Sequence, residues 1–194
     1  MKILNLYAGI GGNRKLWGDE HEIIAVELDP EIATIYQDYF PNDKVIVTDA
    51  HKYLLENYKE FDFIWSSPPC PTHSRINNSF KNNNKKLKYP DMNLYQEIIF
   101  LQQFFQGKWV VENVIPYYEP LIKSKVIGRN SFWSNFEIST IPIKKGSIGS
   151  MNGKHMKNWY ANKSLAERNM VNPELGLHIF KCAFKEKQVR NRGK

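Results

Sequence analysis

Short apolar runs alternating with helix-patterned stretches predict an α/β chain: a mostly parallel twisted sheet with helices on both faces. Two observations carry that prediction. The apolar runs read as buried strands, which parallel sheets need because helices cover both faces. Strand and helix patterns also succeed one another at the pace of βαβ units.

The elements follow in order. "KILNLY" (2–7) reads as a buried strand and "EIIAVE" (22–27) as a second. "EIATIYQDYF" (31–40) has apolar residues at helical spacing and starts just after Pro30. "KVIVT" (44–48) is a third strand and "FDFIWS" (61–66) a fourth. "MNLYQEIIFLQQFF" (92–105) is an amphipathic helix with Asp91 as its expected N-cap. "KWVVENV" (108–114), entered through Gly107, is a fifth strand. "NPELGLHIFKCAF" (172–184) reads as a final helix from near Pro173, with Cys182 on its apolar side as a core residue. Two stretches break the rhythm. Residues 75–90 are polar and asparagine-rich, and long for a connection. Residues 144–163 are glycine-rich and basic.

The chain has 194 residues, enough for one domain with a proper core and too few for two comfortable ones. Its 42% hydrophobic content suits a globular protein. No apolar run approaches the ~20 residues of a membrane span, so no membrane partner is expected. "MKILNLYAG" carries one lysine and turns early to glycine, unlike a signal peptide. Two cysteines far apart in sequence suggest no disulfide framework, so a reducing cytoplasm is expected. The formal net charge of +7 favours polyanions, nucleic acid first. Much of it is clustered: Lys81, Lys85, Lys86 and Lys88 sit among three asparagines, and Lys144, Lys145, Lys154, Lys157 and Lys163 follow later.

Chemistry concentrates where strands end. Gly9, Gly11 and Gly12 follow the first strand, with a helix expected to begin near Asn13. Such a turn is either an ordinary tight turn or the approach to a ligand. Glu27 ends the second strand, where an acidic residue about twenty residues after the glycines typically binds ribose hydroxyls. Asp49 falls just beyond the third strand, on the same rim. Together these ends define a nucleoside-type ligand site at the carboxyl edge of the sheet. Cys70 follows the fourth strand in "SSPPCPTHS", stiffened by Pro68 and Pro69. A rigid loop presenting a thiol beside a cofactor suits a nucleophile whose thiolate local charge favours. His73 is either a base or polar loop surface. Glu112 and Asn113 end the fifth strand. A carboxyl there either forms a core-edge pair or moves a proton on a bound base.

The combination resembles the cytosine-5 DNA methyltransferase family. "LNLYAGIGG", "ELDP", "TDAH", "SSPPCPTHS", "YPDMNLYQEIIFL" and "WVVENV" stand in the order of that family's motifs, over roughly residues 3–136. The resemblance implies a Rossmann-like methyltransferase fold and S-adenosyl-L-methionine as cofactor. Tyr7, Gly9 and Gly11 would line its methionine end. Glu27 would hold the ribose hydroxyls, Leu28 would pack on adenine, and Asp49 would bind the adenine amino group, with Ala50 and Pro68 completing the site. Cys70 would attack C6 of a flipped-out cytosine, so that C5 takes the methyl group. Glu112 would hydrogen-bond the exocyclic amine and N3, and Arg129 would match one arginine of the family's "QxRxR" segment. The loop after Cys70 takes the place of the family's mobile catalytic loop.

The chain also departs from the pattern. Pro71 stands where the family usually has glutamine, and the glutamine partner of Arg129 is missing. Only a short stretch separates Phe136 from the last helix, where the family carries a large target-recognition domain. The expected organisation is a catalytic domain at 1–143, a short basic loop at 144–163 in place of that domain, a C-terminal helix unit at 164–184 and a polar tail at 185–194. DNA is the expected partner. Recognition is expected to be short in sequence or to need a separate specificity subunit, and no metal is expected. An RNA-methylating enzyme of tRNA-like targets is the alternative with the same chemistry. Amino-methyltransferases share the glycine turn but place an aromatic residue at the position of Cys70. A non-catalytic subunit would be free to lose Cys70 or Glu112, and both are present. The lysine-, asparagine- and isoleucine-rich composition suits an A+T-rich bacterial or phage genome.

Overall fold

The computed structural model describes residues 1–75, 77, 88–141 and 170–184. One seven-stranded sheet, in the order β3-β2-β1-β4-β5-β7-β6, organises them. Its strands are β1 (Lys2–Leu6), β2 (Glu22–Glu27), β3 (Lys44–Val47), β4 (Phe63–Ser66), β5 (Lys108–Val114), β6 (Lys125–Ile127) and β7 (Asn130–Ser134). The first five pair in parallel, while β7 runs antiparallel to both β5 and β6. This is the expected mostly parallel α/β architecture, closed on one side by a reversed hairpin.

Side chains alternate across the strands, and both faces are buried. Leu4 and Leu6 pack with Leu54, Ile98 and Leu101, under α2 (Ala50–Asn57) and α3 (Asn93–Phe104). Ile3, between them, points to the other face and packs with Trp17, Phe63, Ile179 and Phe180, under α4 (Pro173–Ala183). α1 (Pro30–Tyr39) covers β2 on that second side through Ala33 and Tyr36, against Ala25. Each cap has a local cause. Asp29 accepts from the N–H groups of Glu31 and Ile32, with Pro30 in the first turn. Asp49 accepts from the Lys52 N–H, and Asn172 from the Leu175 N–H.

Several expectations need correction. No helix begins at Asn13. Residues 11–17 instead turn through the bonds Arg14 N–H to Gly11 C=O (3.1 Å) and Trp17 N–H to Arg14 C=O (3.0 Å). Tertiary contacts hold this segment in place. Asn13 Nδ2 donates to Asn5 Oδ1, Trp17 stacks on Phe180, and α4 approaches so closely that a Cβ at Gly176 would meet the Asn13 carbonyl at 2.4 Å. Asp91 is not the N-cap of α3; Met92 is, and Asp91 accepts from the Asn93 N–H at 3.0 Å. α2 and the β6–β7 hairpin were not expected. The C-terminal helix starts at Pro173, as expected, and residues 164–169 of the 164–184 unit lie outside the described residues. So do Lys81, Lys85 and Lys86 of the lysine loop, the basic stretch 144–163 and the tail 185–194.

Arg14 anchors this face. Its buried guanidinium meets the buried Asp43 carboxylate at 3.0 Å and the exposed Asp19 at 3.1 Å. Tyr36 Oη also donates to Asp43 at 2.8 Å. Removing one partner of a buried pair strands the other charge. Arg14→Ala is expected to cost about 3–5 kcal/mol of stability in urea denaturation; an unchanged midpoint would contradict the pairing.

Candidate active site

The carboxyl ends of the parallel strands open into two adjoining cavities. The larger, about 870 Å³, is lined by Tyr7, Glu27, Leu28, Asp49, Ala50 and Pro68, among others. These are six of the eight residues expected to hold a cofactor. Its wall is acidic: Asp29, Glu31 and Asp91 join Glu27 and Asp49 there, in a chain whose net charge is +7. Such a cavity attracts a cation. The second, about 540 Å³, is lined by Gly9, Cys70, Glu112 and Arg129 and shares Tyr7, Glu27 and Pro68 with the first.

The chain after β1 turns sharply to reach this edge. Tyr7 has φ 53° and Gly9 φ 55°, both in the left-handed region, and a Cβ at Gly9 would meet nothing within 4 Å. Gly11, expected at the ligand, lines neither cavity. A Cβ there would fall 2.2 Å from the Phe40 ring, so its role is close packing against α1, and Gly12 lines the second cavity. Glu27 holds the turn from the neighbouring strand. Its Oε2 accepts from the Gly9 N–H at 2.8 Å, and its Oε1 accepts from the N–H groups of Leu28 (2.9 Å) and Asp29 (3.1 Å). Leu28 is 66% exposed at the cavity mouth. Asp49 caps α2 through Oδ1, which sets Ala50 and His51 at the cavity wall.

Cys70 and Glu112 come from neighbouring strands. β4 and β5 pair from Phe63↔Lys108 to Ser66↔Val111, which brings the proline-cysteine loop alongside Glu112. Asn113 ties the two together: its Nδ2 donates to the Pro68 carbonyl at 3.0 Å, and its Oδ1 accepts from the Val114 N–H. Cys70's own carbonyl accepts from the His73 and Ser74 N–H groups, both at 3.0 Å. Arg129 reaches the site from the tight turn Gly128–Arg129, where Gly128 has φ 61°. The next residue, Asn130, donates from Nδ2 to Glu112 Oε1.

The local charge corrects one expectation. Burial, followed by the Glu112 carboxylate, pushes the Cys70 thiol above its ordinary value, and the loop backbone and Arg129 offset only part of this. The surroundings therefore favour the thiol, not the thiolate. Burial likewise raises the Glu112 carboxyl, opposed by hydrogen bonds from Asn130 and Ser67 and by the Arg129 charge. A proton on Glu112 removes the negative charge that holds the Cys70 proton in place. His73 is buried rather than surface, bonded through Nδ1 to Tyr118 Oη at 2.6 Å, and burial lowers its pKa. It braces the loop from behind and lines neither cavity.

Sequence reading missed Glu97, on α3. It is wholly buried and accepts from Tyr7 Oη (2.6 Å), His51 Nδ1 (2.9 Å) and Ser66 Oγ (2.6 Å). Its hydrogen bond raises the His51 pKa. The available signal was its place between Leu94 and Ile98 on the apolar stripe, where an unpartnered carboxylate would be costly.

A site of this form, at the carboxyl edge of a mostly parallel sheet, joins an acidic cavity to one that holds a cysteine, a carboxyl and an arginine. The chain belongs to the C-5 cytosine-specific DNA methylase family, whose model matches residues 1–117. It is an S-adenosylmethionine-dependent methyltransferase. Solved structures align at low identity. A putative methyltransferase, yhhF, from Escherichia coli is 15% identical, with 69% of this chain and 73% of that chain covered and a TM-score of 0.47. TrmN from Thermus thermophilus is 14% identical over 69% of this chain and 43% of that one, with a TM-score of 0.43. A TehB-like SAM-dependent methyltransferase from Corynebacterium glutamicum is 17% identical over 62% and 58%, with a TM-score of 0.39. No curated protein matches. Among the described residues, no His, Cys, Asp and Glu group could hold a metal, and no helix is long and apolar enough to cross a membrane.

The Cys70–Glu112 coupling predicts alkylation kinetics. Cys70 should react slowly with iodoacetamide at pH 7.5 to 8, roughly the range below an ordinary thiol's pKa, and faster as pH rises. Glu112→Gln removes the opposing charge and should speed the reaction at fixed pH; Arg129→Ala should slow it. Peptide mass spectrometry separates Cys70 from the buried Cys182, and rates unmoved by both substitutions would contradict the coupling.

Proposed function

We propose that this chain methylates C5 of a flipped-out cytosine in DNA through a covalent Cys70 adduct. The observation that supports this best is the joining of two cavities, one acidic, the other holding Cys70, Glu112 and Arg129, across the shared residues Tyr7 and Pro68. S-adenosylmethionine supplies a methyl group on a sulfonium cation, and the acidic cavity suits that charge. Glu27 and Leu28 would hold its ribose and adenine, and Asp49 the adenine amino group. Ala50 and Pro68 would complete that wall, with Tyr7 and Gly9 at the methionine end.

C5 of cytosine is a poor nucleophile until a thiolate adds at C6. The base must also leave its stack for Cys70 to reach it. Protonated Glu112 would donate to N3 while its other oxygen accepts from the exocyclic amine. That draws electrons from C6 and removes the charge opposing the thiolate. Cys70 would give up its proton to water and bond through Sγ to C6, and the ring electrons would reach C5. C5 would take the methyl group as its bond to the sulfonium sulfur breaks, with the electron pair staying on that sulfur to leave S-adenosylhomocysteine. Loss of the C5 proton to water would then expel Cys70 as thiolate and restore the ring. Arg129 would steady the negative charge near Cys70 and Glu112.

DNA is the substrate favoured by the family match and by the net charge of +7. Recognition would be short, or would need a separate specificity subunit. Base readout needs side chains in a groove, and between the catalytic core and the last helix the basic stretch 144–163, which includes Lys154, Asn158, Trp159 and Tyr160, would supply them. Free Cys70 and Cys182 suit a reducing cytoplasm, that of a bacterial or phage-infected cell. The test is transfer of labelled methyl to duplex DNA and tRNA in parallel, followed by nucleoside analysis. 5-Methylcytosine is expected in DNA, within a two- or three-base context or only after a second chain is added. Cys70→Ser should abolish it while leaving cofactor affinity within a few-fold. An active serine variant would sink the nucleophile assignment, and product confined to tRNA would move the substrate to RNA.

A further inference from the structure

We propose that Glu97 is a positioning residue for the cofactor: a buried carboxylate that lines neither cavity yet sets three walls of the larger one from behind. The inference rests on assigning that cavity to S-adenosylmethionine.

Three separate elements converge on this one side chain. Tyr7, just past β1, and His51, on α2, both bond Oε1, at 2.6 and 2.9 Å. Ser66, the last residue of β4, bonds Oε2 at 2.6 Å. Both oxygens are engaged, as a buried carboxylate requires. Tyr7 and His51 themselves line the cavity, and Ser66 leads directly into Ser67 and Pro68, which also line it. Glu97 is 0% exposed and absent from both linings. Its effect on a ligand must therefore pass through the residues it holds.

The Tyr7 contact matters most because of the backbone there. Tyr7 is the only non-glycine residue at positive φ among those described. That conformation is unfavourable for an L-residue and persists only when its surroundings enforce it. The hydroxyl bond to Glu97 fixes the far end of the ring, so backbone and side chain are both held where the glycine turn meets the cavity. Glu97 is thus placed to give the cofactor a wall already in its binding shape, and preorganisation of this kind appears as affinity.

A neutral amide replaces this carboxylate only in part. Its oxygen can accept from two of the three partners, but its NH₂ meets the third only if a hydroxyl turns from donor to acceptor, and the charge that strengthens all three bonds is lost. Glu97→Gln is expected to raise the Kd for S-adenosylhomocysteine by about tenfold, the scale of one charge-assisted hydrogen bond. On DNA, KM for S-adenosylmethionine should rise with it while kcat at saturating cofactor stays within about threefold, since the lost binding is shared by ground and transition states. A purely architectural role would lower the melting temperature and leave both kinetic constants of the folded enzyme unchanged. Tyr7→Phe removes a single hydroxyl from the network and provides the same readout should Glu97→Gln not fold. Wild-type cofactor affinity in folded Glu97→Gln overturns the proposal, as does wild-type affinity in Tyr7→Phe where it is the only folded variant. Glu27→Ala, measured alongside, tests the cavity assignment. If it loses affinity while Glu97→Gln keeps it, only this inference fails. If both bind as wild type, the cofactor lies elsewhere and both readings fall.

Discussion

Because β1 to β5 run parallel, their carboxyl ends lie along one edge of the sheet, and nearly every group at the candidate site hangs from that edge. The glycine turn follows β1, Glu27 ends β2, Asp49 lies just past β3, Cys70 follows β4, and Glu112 stands near the end of β5. Residues 85 positions apart in sequence or more, such as Glu27 and Glu112, reach one cavity through strand register alone. The antiparallel β7 adds the last contribution. Its pairing with β5 sets Phe132 opposite Glu112 and brings the Gly128–Arg129 turn over the site.

Such an edge gathers polar groups that must be satisfied where they are buried. Glu27 is occupied by backbone N–H groups, Glu97 by Tyr7, His51 and Ser66, and Glu112 by Asn130. Each carboxylate thereby fixes a neighbouring wall. The resulting cavities differ in character. One is lined by several carboxylates and suits a cationic donor. The other shares Glu27 and Asp29 with the first and sets Glu112 beside a thiol, where burial raises the pKa of both groups. A protonated Glu112 would relieve the part of the Cys70 shift that its charge causes. Substrate that supplies the matching hydrogen bonds to Glu112 would favour that state, so reactivity would be tied to the presence of the base.

The central strands were legible because parallel strands buried on both faces must be continuous apolar runs, as "KILNLY" and "FDFIWS" are. The rim residues followed from strand ends: an acid after "EIIAV", a proline-stiffened thiol after "FIWS", and "EN" after "WVV". What stayed hidden depended on tertiary contact. A helix seemed due at Asn13, but Arg14 and Trp17 are pulled inward by Asp43 and by Gly176 of α4. The close packing of Gly11 on Phe40 was likewise not visible in sequence. The β6–β7 hairpin carried a signal that went unread: two residues, Gly128 and Arg129, between short β-prone runs, with glycine at the position that needs positive φ. The sign of the charge effect on Cys70 was not available from sequence, since it depends on how deeply Glu112 is buried beside it.

The proposed chemistry turns on a covalent bond from Cys70 to C6 of a cytosine in DNA. Release of that bond requires loss of a proton from C5, which a fluorine in its place cannot match, because fluorine does not leave without its bonding electrons. Mass spectrometry after incubation with S-adenosylmethionine and duplex DNA bearing 5-fluorocytosine tests this directly. A stable protein–DNA adduct is expected, carrying one transferred methyl group and mapping to the peptide that holds Cys70. Methyl transfer to ordinary cytosine C5 in the same DNA, with no adduct on the fluorinated duplex, would contradict it.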